Sequence, residues 1–290
     1  MKVLLLGADG QVGFELRSLL APFAKVDARN RNALDITDFD RLRAAIGTAA
    51  PDVIVNAAAY TNVDHAEAEP ERAEAVNAGA VQVLADECRT RKIALVHYST
   101  DFVFDGQAAV PYREDAPPNP ISAYGQSKLN GELSLRDSAL AAVVLRTAWV
   151  YSLRRKSFVS TMLRLMRDHE VVRVVDDQVG NPTAAFDLAC ATALLLFDAR
   201  RDPYQWLKER RGVYHMAGEG MCSRFELAQA ILDLAIEPLK ASRVEPIATD
   251  AYPLPARRPK YAALDCSQAA RVFGLVLPPW RESLARVLGA

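Results

Sequence analysis

Three glycines that follow the first apolar run of the chain constrain its fold more than any other feature. Residues 2–6 form a short apolar run typical of a buried strand, and residues 12–20 carry apolar side chains at helical spacing. Gly7, Gly10 and Gly13 lie in the turn between them. Glycine permits a tight turn, and the N–H groups at the start of the following helix can face a pyrophosphate. The spacing therefore predicts a strand–turn–helix unit that binds a dinucleotide.

The alternation of short apolar runs and longer helical patterns continues to about residue 150. Further strands are predicted at 25–28, 53–55, 93–98 and 142–146, and helices at 73–90 and 122–135. Apolar strands separated by helices are typical of a parallel sheet covered by helices on both faces. We therefore predict the doubly wound α/β class, with an NAD(P)-binding Rossmann domain over residues 1–150.

The second half of the chain is less regular and contains many prolines, which favour loops and short helices. Its clearer helical patterns cover residues 158–169 and 184–197, and Val-rich or apolar runs predict strands at 171–175 and 213–216. We expect residues 151–290 to form mainly a smaller substrate-binding lobe. The chain is expected to return to the first domain around residues 184–218.

Composition excludes several classes of function. The 290 residues carry 35 Lys+Arg against 36 Asp+Glu, and a net charge of -1 argues against nucleic acid or an anionic membrane as partner. The sequence shows neither a spanning apolar stretch nor the pattern of a signal peptide. Cys88, Cys190, Cys222 and Cys266 are scattered singly, and the four histidines show no metal-ligand spacing, so no zinc site is expected. These features favour a cytoplasmic protein with reduced thiols.

Tyr124 and Lys128 are spaced i and i+4, so one face of the helix predicted at 122–135 carries both side chains. A neighbouring ammonium group favours the ionised form of a phenol and lowers its pKa. The pair can therefore exchange a proton with a carbonyl oxygen while a nicotinamide carries the hydride. Thr100 and Asp101 follow the strand at 93–98, at the sheet edge where ligands bind in open α/β sheets. Thr100 is expected to contact the same carbonyl oxygen, and Asp101 a sugar hydroxyl.

Two basic segments bear on the choice of cofactor. Arg29 and Arg31 follow the strand at 25–28, where an arginine suits the 2′-phosphate of NADPH and an acidic residue would suit NADH. Asp27 lies within that strand. We predict NADPH, with NADH as the open alternative. The run at residues 154–156 is either a solvated charged face or a contact for a diphosphate.

These motifs together resemble the extended short-chain dehydrogenase/reductase superfamily, and within it the family of dTDP-4-dehydrorhamnose reductases. The glycine turn and the Tyr124–Lys128 spacing are typical of the superfamily, while Trp149, the turn at 177–183 and Arg258-Pro259 narrow the resemblance to the reductases. The likeness covers residues 7–13, 56–64, 97–106, 124–128, 145–151, 177–183 and 258–259. Phe102 stands where members of the family often have tyrosine.

The resemblance implies an oxidoreductase that reduces the C4 keto group of dTDP-6-deoxy-L-lyxo-4-hexulose, in the last step of dTDP-L-rhamnose synthesis. Thr100, Tyr124 and Lys128 are the expected catalytic residues. The expected cofactor contacts, including the glycines and Arg29, are Gly7, Gly10, Gln11, Val12, Gly13, Arg29, Asp35, Ile36, Ala59, Tyr60, Thr61, Tyr98, Tyr124 and Lys128. The expected contacts of the dTDP-sugar are Thr100, Asp101, Trp149 and Arg258.

Some relatives dimerise through Mg²⁺ bound by glutamates, and Glu15 matches one such position. The resemblance therefore raises a homodimer and a magnesium ion as open predictions. Two other functions also remain open: a nucleotide-sugar epimerase or 4,6-dehydratase of the same superfamily, and a non-catalytic NADP-binding regulatory subunit. A dehydratase typically has Asp-Glu after the threonine, whereas here Asp101-Phe102 follows Thr100.

Overall fold

A parallel sheet of six strands forms the centre of the molecule in the computed structural model, which describes residues 1–136 and 140–290. The strands are β1 (Lys2–Leu6), β2 (Lys25–Arg29), β3 (Val53–Asn56), β4 (Ala94–Thr100), β5 (Ala142–Thr147), β6 (Val150–Tyr151), β7 (Val171–Val175), β8 (Val179–Gly180), β9 (Thr183–Ala184), β10 (Gly212–His215), β11 (Cys222–Ser223) and β12 (Arg243–Ile247). In the central sheet their order is β10-β5-β4-β3-β1-β2, and every pairing is parallel. The predicted doubly wound class is confirmed.

Helices cover both faces of this sheet because successive side chains of a buried strand point to opposite sides. The helices are α1 (Gln11–Leu20), α2 (Phe39–Ala49), α3 (Val63–Ala68), α4 (Pro70–Glu74), α5 (Ala80–Arg91), α6 (Ala123–Ser134), α7 (Phe158–Asp168), α8 (Ala185–Ala199), α9 (Pro203–Glu209), α10 (Arg224–Leu234), α11 (Ser267–Phe273) and α12 (Trp280–Leu288). In β1, Val3 and Leu5 join the core under α1 and α8, while Leu4 and Leu6 join the core under α2 and α5. β1 thus contributes to two hydrophobic cores.

The helix predicted at 73–90 is interrupted by one π-helical turn, Ala75–Gly79, between α4 and α5. Asn77 lies in this turn and is buried. Its side chain accepts from the N–H of Tyr60, donates to the carbonyl of Tyr60 and donates to the hydroxyl of Ser127. The turn therefore ties the loop after β3 to α6, a tertiary contact that helical periodicity does not reveal.

Part of the second half forms its own core, made by α7, α10 and α12 with the parallel pair β7 and β12. The proline-rich composition predicted loops here, but β12 contains Pro246 and still pairs with β7 as a short two-stranded sheet. The chain also returns to the central sheet, since α8 packs on α1 and β10 pairs with β5. The division into domains at residue 150 stays a prediction.

A buried ion pair attaches α6 to the sheet. Arg146 of β5 donates to Glu132 of α6 through two hydrogen bonds of 2.9 and 2.6 Å. Both side chains are at most 1% exposed, and the guanidinium of Arg146 also lies 5.1 Å from the ring of Phe104. Because a charge left alone in a protein interior is costly, the two groups depend on each other.

We expect Glu132→Leu to lower the free energy of unfolding by about 3–5 kcal/mol, since it leaves the guanidinium of Arg146 buried without its partner. The double variant Glu132→Leu with Arg146→Met removes both charges and should lose much less. Urea denaturation followed by circular dichroism measures both. A double variant as unstable as Glu132→Leu alone would contradict this account.

Candidate active site

A cavity of about 690 Å³ opens at the carboxyl ends of the central strands. Nearly all the predicted cofactor and substrate contacts line it: Gly7, Gly10, Gln11, Val12, Asp35, Ile36, Ala59, Tyr60, Thr61, Tyr98, Thr100, Asp101, Tyr124, Lys128, Trp149 and Arg258. Gly13, Arg29 and Glu15 are not among the lining residues. Ligands of open α/β sheets bind at this edge, so the cavity lies where the topology places a site.

The glycine turn brings the start of α1 to the cavity. Gly7 has a φ of +77°, and a Cβ there would lie 2.5 Å from the backbone nitrogen of Ala58, so only glycine fits. Gly10 precedes α1 and offers no side chain to cap its free N–H groups. Uncapped N–H groups at a helix start fit the pyrophosphate of a dinucleotide.

The two arginines after β2 have different surroundings. The guanidinium of Arg29 donates to the carboxylate of Asp27 at 2.6 and 3.0 Å, and this pairing raises the pKa of Arg29. Arg31 lines the cavity, with its Nε 3.4 Å from Asp35. Arg31 is therefore the arginine that the structure presents to a ligand at this end.

Lys128 is enclosed between α6 and β4. Its Nζ donates to the carbonyl oxygen of Tyr98 at 2.7 Å and lies 3.3 Å from Nε2 of His97. The side chain is 2% exposed, and burial lowers the pKa of Lys128 to about 8. Burial raises the pKa of Tyr124 to about 12, against a smaller lowering by the hydroxyl of Thr100. The lowering of this pKa by Lys128 that the i, i+4 spacing predicted is wrong, because Nζ of Lys128 is bonded to the carbonyl of Tyr98 instead. At neutral pH Tyr124 thus carries its proton.

Thr100 lies between Tyr124 and Asp101. Its hydroxyl donates to Oδ1 of Asp101 at 2.9 Å and accepts from the N–H of Phe102 at 3.2 Å. Burial raises the pKa of Asp101 to about 7, against smaller lowering effects led by the Thr100 hydrogen bond. The predicted catalytic residues Thr100, Tyr124 and Lys128 are therefore brought together at the end of β4.

Gly125 allows this assembly. A Cβ at this position would lie 2.2 Å from the carbonyl oxygen of Phe102, in the 3₁₀ turn that follows β4. The side chain of Ser122 caps the start of α6 by accepting from the N–H of Gly125. Residues 122–125 thus both cap the start of α6 and let it approach the turn after β4 closely.

Trp149 lines the same cavity in a strained conformation, with a φ of 45°. Arg224 stacks over the tryptophan ring at 3.5 Å, and Gly180 leaves room for the ring beside it. Arg258 forms an ion pair with Asp64 at 2.7 Å. These three side chains therefore present an aromatic face and two guanidinium groups to the cavity.

Arg224 was not found from the sequence. The signal that could have found it is the capping box of Ser223 and Glu226, which starts α10 and places Arg224 in its first turn. Burial lowers the pKa of Arg224 to about 10, and the carboxylate of Asp101 acts in the opposite direction. His97 and Asn56, which lie behind Lys128, were also missed because their role depends on the pairing of β3 with β4.

The basic run at 154–156 lies against the glycine turn. Nε of Arg155 donates to the carbonyl of Asp9 at 2.5 Å, and Arg154 stacks on Phe14. Lys156 lines the cavity. The run is thus close to the site predicted for a diphosphate.

Among the described residues, no group of three or more His, Cys, Asp or Glu side chains is arranged to hold a metal ion. The magnesium site at Glu15 and the homodimer stay predictions. Within residues 1–136 and 140–290, no helix is both long and apolar enough to cross a membrane.

Sequence and structure comparisons find the same kind of protein, the dTDP-4-dehydrorhamnose reductases. A dTDP-4-dehydrorhamnose reductase of Burkholderia thailandensis is 43% identical over 289 residues, which cover 98% of this chain and 97% of the relative. A solved dTDP-4-dehydrorhamnose reductase of Clostridium acetobutylicum has a TM-score of 0.90 at 34% identity, covering 100% of this chain and 99% of its own. That of Bacillus anthracis, in complex with NADP, has a TM-score of 0.87 at 33% identity, covering 99% and 98%.

The sequence model of one protein family, described as the RmlD substrate binding domain, matches residues 1–290. Together with the full-length identity to the reductases, this match confirms the resemblance found in the motifs. The chain belongs to the RmlD substrate binding domain family.

Proposed function

We propose that the chain reduces the C4 keto group of dTDP-4-dehydrorhamnose with NADPH and forms dTDP-L-rhamnose. The observation that carries the proposal is the meeting of Thr100, Tyr124 and Lys128 in the cavity that also receives the uncapped start of α1. Relatives at up to 43% identity that are named for this reaction support it.

When bound, the reduced nicotinamide supplies the hydride. The protein supplies the proton: Tyr124 holds its proton at neutral pH because burial raises its pKa, and it can donate that proton to the carbonyl oxygen. Thr100 can donate its hydroxyl hydrogen to the same oxygen once that hydroxyl turns away from Oδ1 of Asp101. The Nζ of Lys128 is bonded to the carbonyl of Tyr98 and not to Tyr124, but both residues line one cavity. With a pKa of about 8, Lys128 can return a proton to Tyr124 through water in that cavity.

The part of the cavity around Trp149 and Arg224 suits a nucleotide diphosphate. The ring of Trp149 offers a flat apolar face for a sugar or base. Arg224 lines the cavity with a guanidinium group, which suits phosphate oxygens. Arg258 is paired with Asp64, but unlike Arg29 it also lines the cavity and can offer its remaining N–H groups there. We propose that these three residues hold the dTDP part of the substrate.

The direct test measures the loss of NADPH absorbance with the keto sugar, which is generated from dTDP-glucose in a coupled reaction. Substrate-dependent loss with dTDP-L-rhamnose as product supports the proposal. Protein that binds NADPH but consumes none would overturn it and favour an epimerase or a regulatory subunit.

We expect Tyr124→Phe to lower kcat by at least about 10²-fold, the usual scale for a lost acid–base group. NADPH affinity, measured by fluorescence titration, should change little, because the ring remains. The matched control is Tyr214→Phe, which removes another largely buried hydroxyl that donates to the carbonyl of Arg210. Turnover of Tyr124→Phe equal to that of the control would rule out the proton donor.

Arg31→Ala should raise the KM for NADPH by about tenfold, since a guanidinium–phosphate contact is worth roughly 1.5 kcal/mol or more. The KM for NADH should stay the same, because NADH lacks the 2′-phosphate. Arg29→Ala is the control, since Arg29 is occupied by Asp27. Equal effects of Arg31→Ala on both cofactors would contradict a phosphate contact.

The rate of reduction should depend on the charge of Lys128. The folded-state pKa lies below that of a free lysine, so the protonated fraction falls as the pH rises through about 8. We expect kcat/KM for reduction to fall about tenfold per pH unit above that point. A rate that stays constant up to about 10.4, the pKa of an unperturbed lysine, would contradict this assignment.

A further inference from the structure

Behind Lys128 lies a buried chain of hydrogen bonds that neither the motifs nor the proposed reaction uses. Asn56 ends β3, and His97 lies opposite it on β4. Nδ2 of Asn56 lies 3.1 Å from Nδ1 of His97, and Nε2 of His97 lies 3.3 Å from Nζ of Lys128. All three side chains are at most 2% exposed. Water is thus kept from these contacts.

The backbone fixes the direction of each hydrogen bond. The N–H of Ala58 donates to Asn56 at 3.2 Å, so the amide atom on that side must be the oxygen, Oδ1. The other end of the amide is then the NH₂ group, which donates to His97. Nδ1 of His97 must therefore be an acceptor without a hydrogen.

His97 is neutral, because burial lowers its pKa well below 6.5, with a further lowering by the charge of Lys128. A neutral imidazole carries one hydrogen. Since Nδ1 accepts from Asn56, that hydrogen lies on Nε2 and faces Nζ of Lys128. An amine has a lone pair that can accept it, whereas an ammonium group has only donors.

We propose that Asn56 and His97 are positioning residues that hold a hydrogen on Nε2 of His97 and thereby favour transfer of a proton from Lys128 to Tyr124. The inference rests on the proposed function. The protons balance: Tyr124 loses its O–H proton to the carbonyl oxygen, and Lys128 loses an N–H proton that reaches the tyrosine oxygen through water in the cavity that both residues line. The amine that remains accepts the N–H of His97 until a proton returns to it from the cavity, which Lys128 lines and His97 does not.

The other charged groups around Lys128 do not replace this contact. Glu132, on the same helix, raises the pKa of Lys128, but its carboxylate is bonded to Arg146 and not to Nζ. Tyr124 is on the same helix, and Asp101 lies in the turn after β4. His97 is the titratable side chain that β4 places in contact with Nζ.

Four carboxylates on the helices that pack against α6 are bonded to groups other than Lys128. Glu67 of α3 accepts from the N–H of Ala123, at the start of α6, and Glu74 of α4 accepts from Asn130. On α5, Asp86 and Glu87 pair with arginines of their own helix. The hydrogen on Nε2 of His97 is therefore the group that favours the neutral amine form of Lys128.

The test combines a spectroscopic readout with a pH profile. Nitrogen-15 labelling of the histidine rings distinguishes the two neutral tautomers by NMR, and loss of one signal set in His97→Gln assigns His97. In the wild-type protein we expect hydrogen on Nε2. This measurement needs neither substrate nor activity, so it stands even if the proposed reaction is wrong.

Asn56→Asp should reverse the tautomer, because the carboxylate accepts from Nδ1–H and turns Nε2 into an acceptor for the ammonium group. The high-pH midpoint of reduction should then rise by at least about one pH unit, as expected for stabilising the charged form. Asn56→Leu is the charge-free control. It also removes the amide donor, so its midpoint should rise in the same direction by a smaller amount.

Hydrogen on Nδ1 of His97 in the wild-type protein would overturn the inference. A reversed tautomer in Asn56→Asp without a change in midpoint would overturn the effect on Lys128. A midpoint that rises in Asn56→Asp and stays unchanged in Asn56→Leu would assign the shift to the added charge, and would also overturn it.

Discussion

The enclosure of the Lys128 amine between β4 and α6 is the contact on which the site depends. Burying an ammonium group is costly unless it is hydrogen-bonded, and here the carbonyl of Tyr98 accepts from it at 2.7 Å. This bond requires α6 to lie close to the sheet. Gly125 permits the approach at the start of the helix, and Glu132, bonded to Arg146, holds the helix near its other end. The same close packing of α6 on the sheet therefore positions Lys128 and satisfies its hydrogen bond.

Parallel pairing explains why distant segments meet at one site. The carboxyl ends of β1, β3, β4 and β5 lie at the same edge of the sheet, so the turns that follow these strands share one cavity. The uncapped start of α1 and the guanidinium groups of Arg224 and Arg258 all face this cavity. A dinucleotide and a nucleotide diphosphate both carry negative charge. The N–H groups at the start of α1 suit the first, and the two guanidinium groups suit the second.

The sequence predicted the elements whose signals are local. The period of apolar residues locates β1, α1 and β4, and Tyr124 and Lys128 share a face because of helix geometry. The π turn at Asn77 and the role of Arg224 could not be predicted in this way. Both depend on contacts between segments far apart in the chain, Asn77 with Ser127 and Arg224 with Trp149. Arg29 and Arg31 were likewise equivalent until the pairing of Arg29 with Asp27 separated them.

Burial shifts the pKa values of the acidic and basic groups of the site in opposite directions, and both shifts bring these pKa values closer to neutral pH. It raises the pKa of Asp101 to about 7 and lowers that of Lys128 to about 8, because the charged form of either group is disfavoured away from water. A group exchanges protons most readily near its own pKa. Excluding water from the end of β4 thus supplies proton donors near neutral pH without a histidine at the reacting atoms. His97, placed behind Lys128, instead determines which form of that lysine the interior favours.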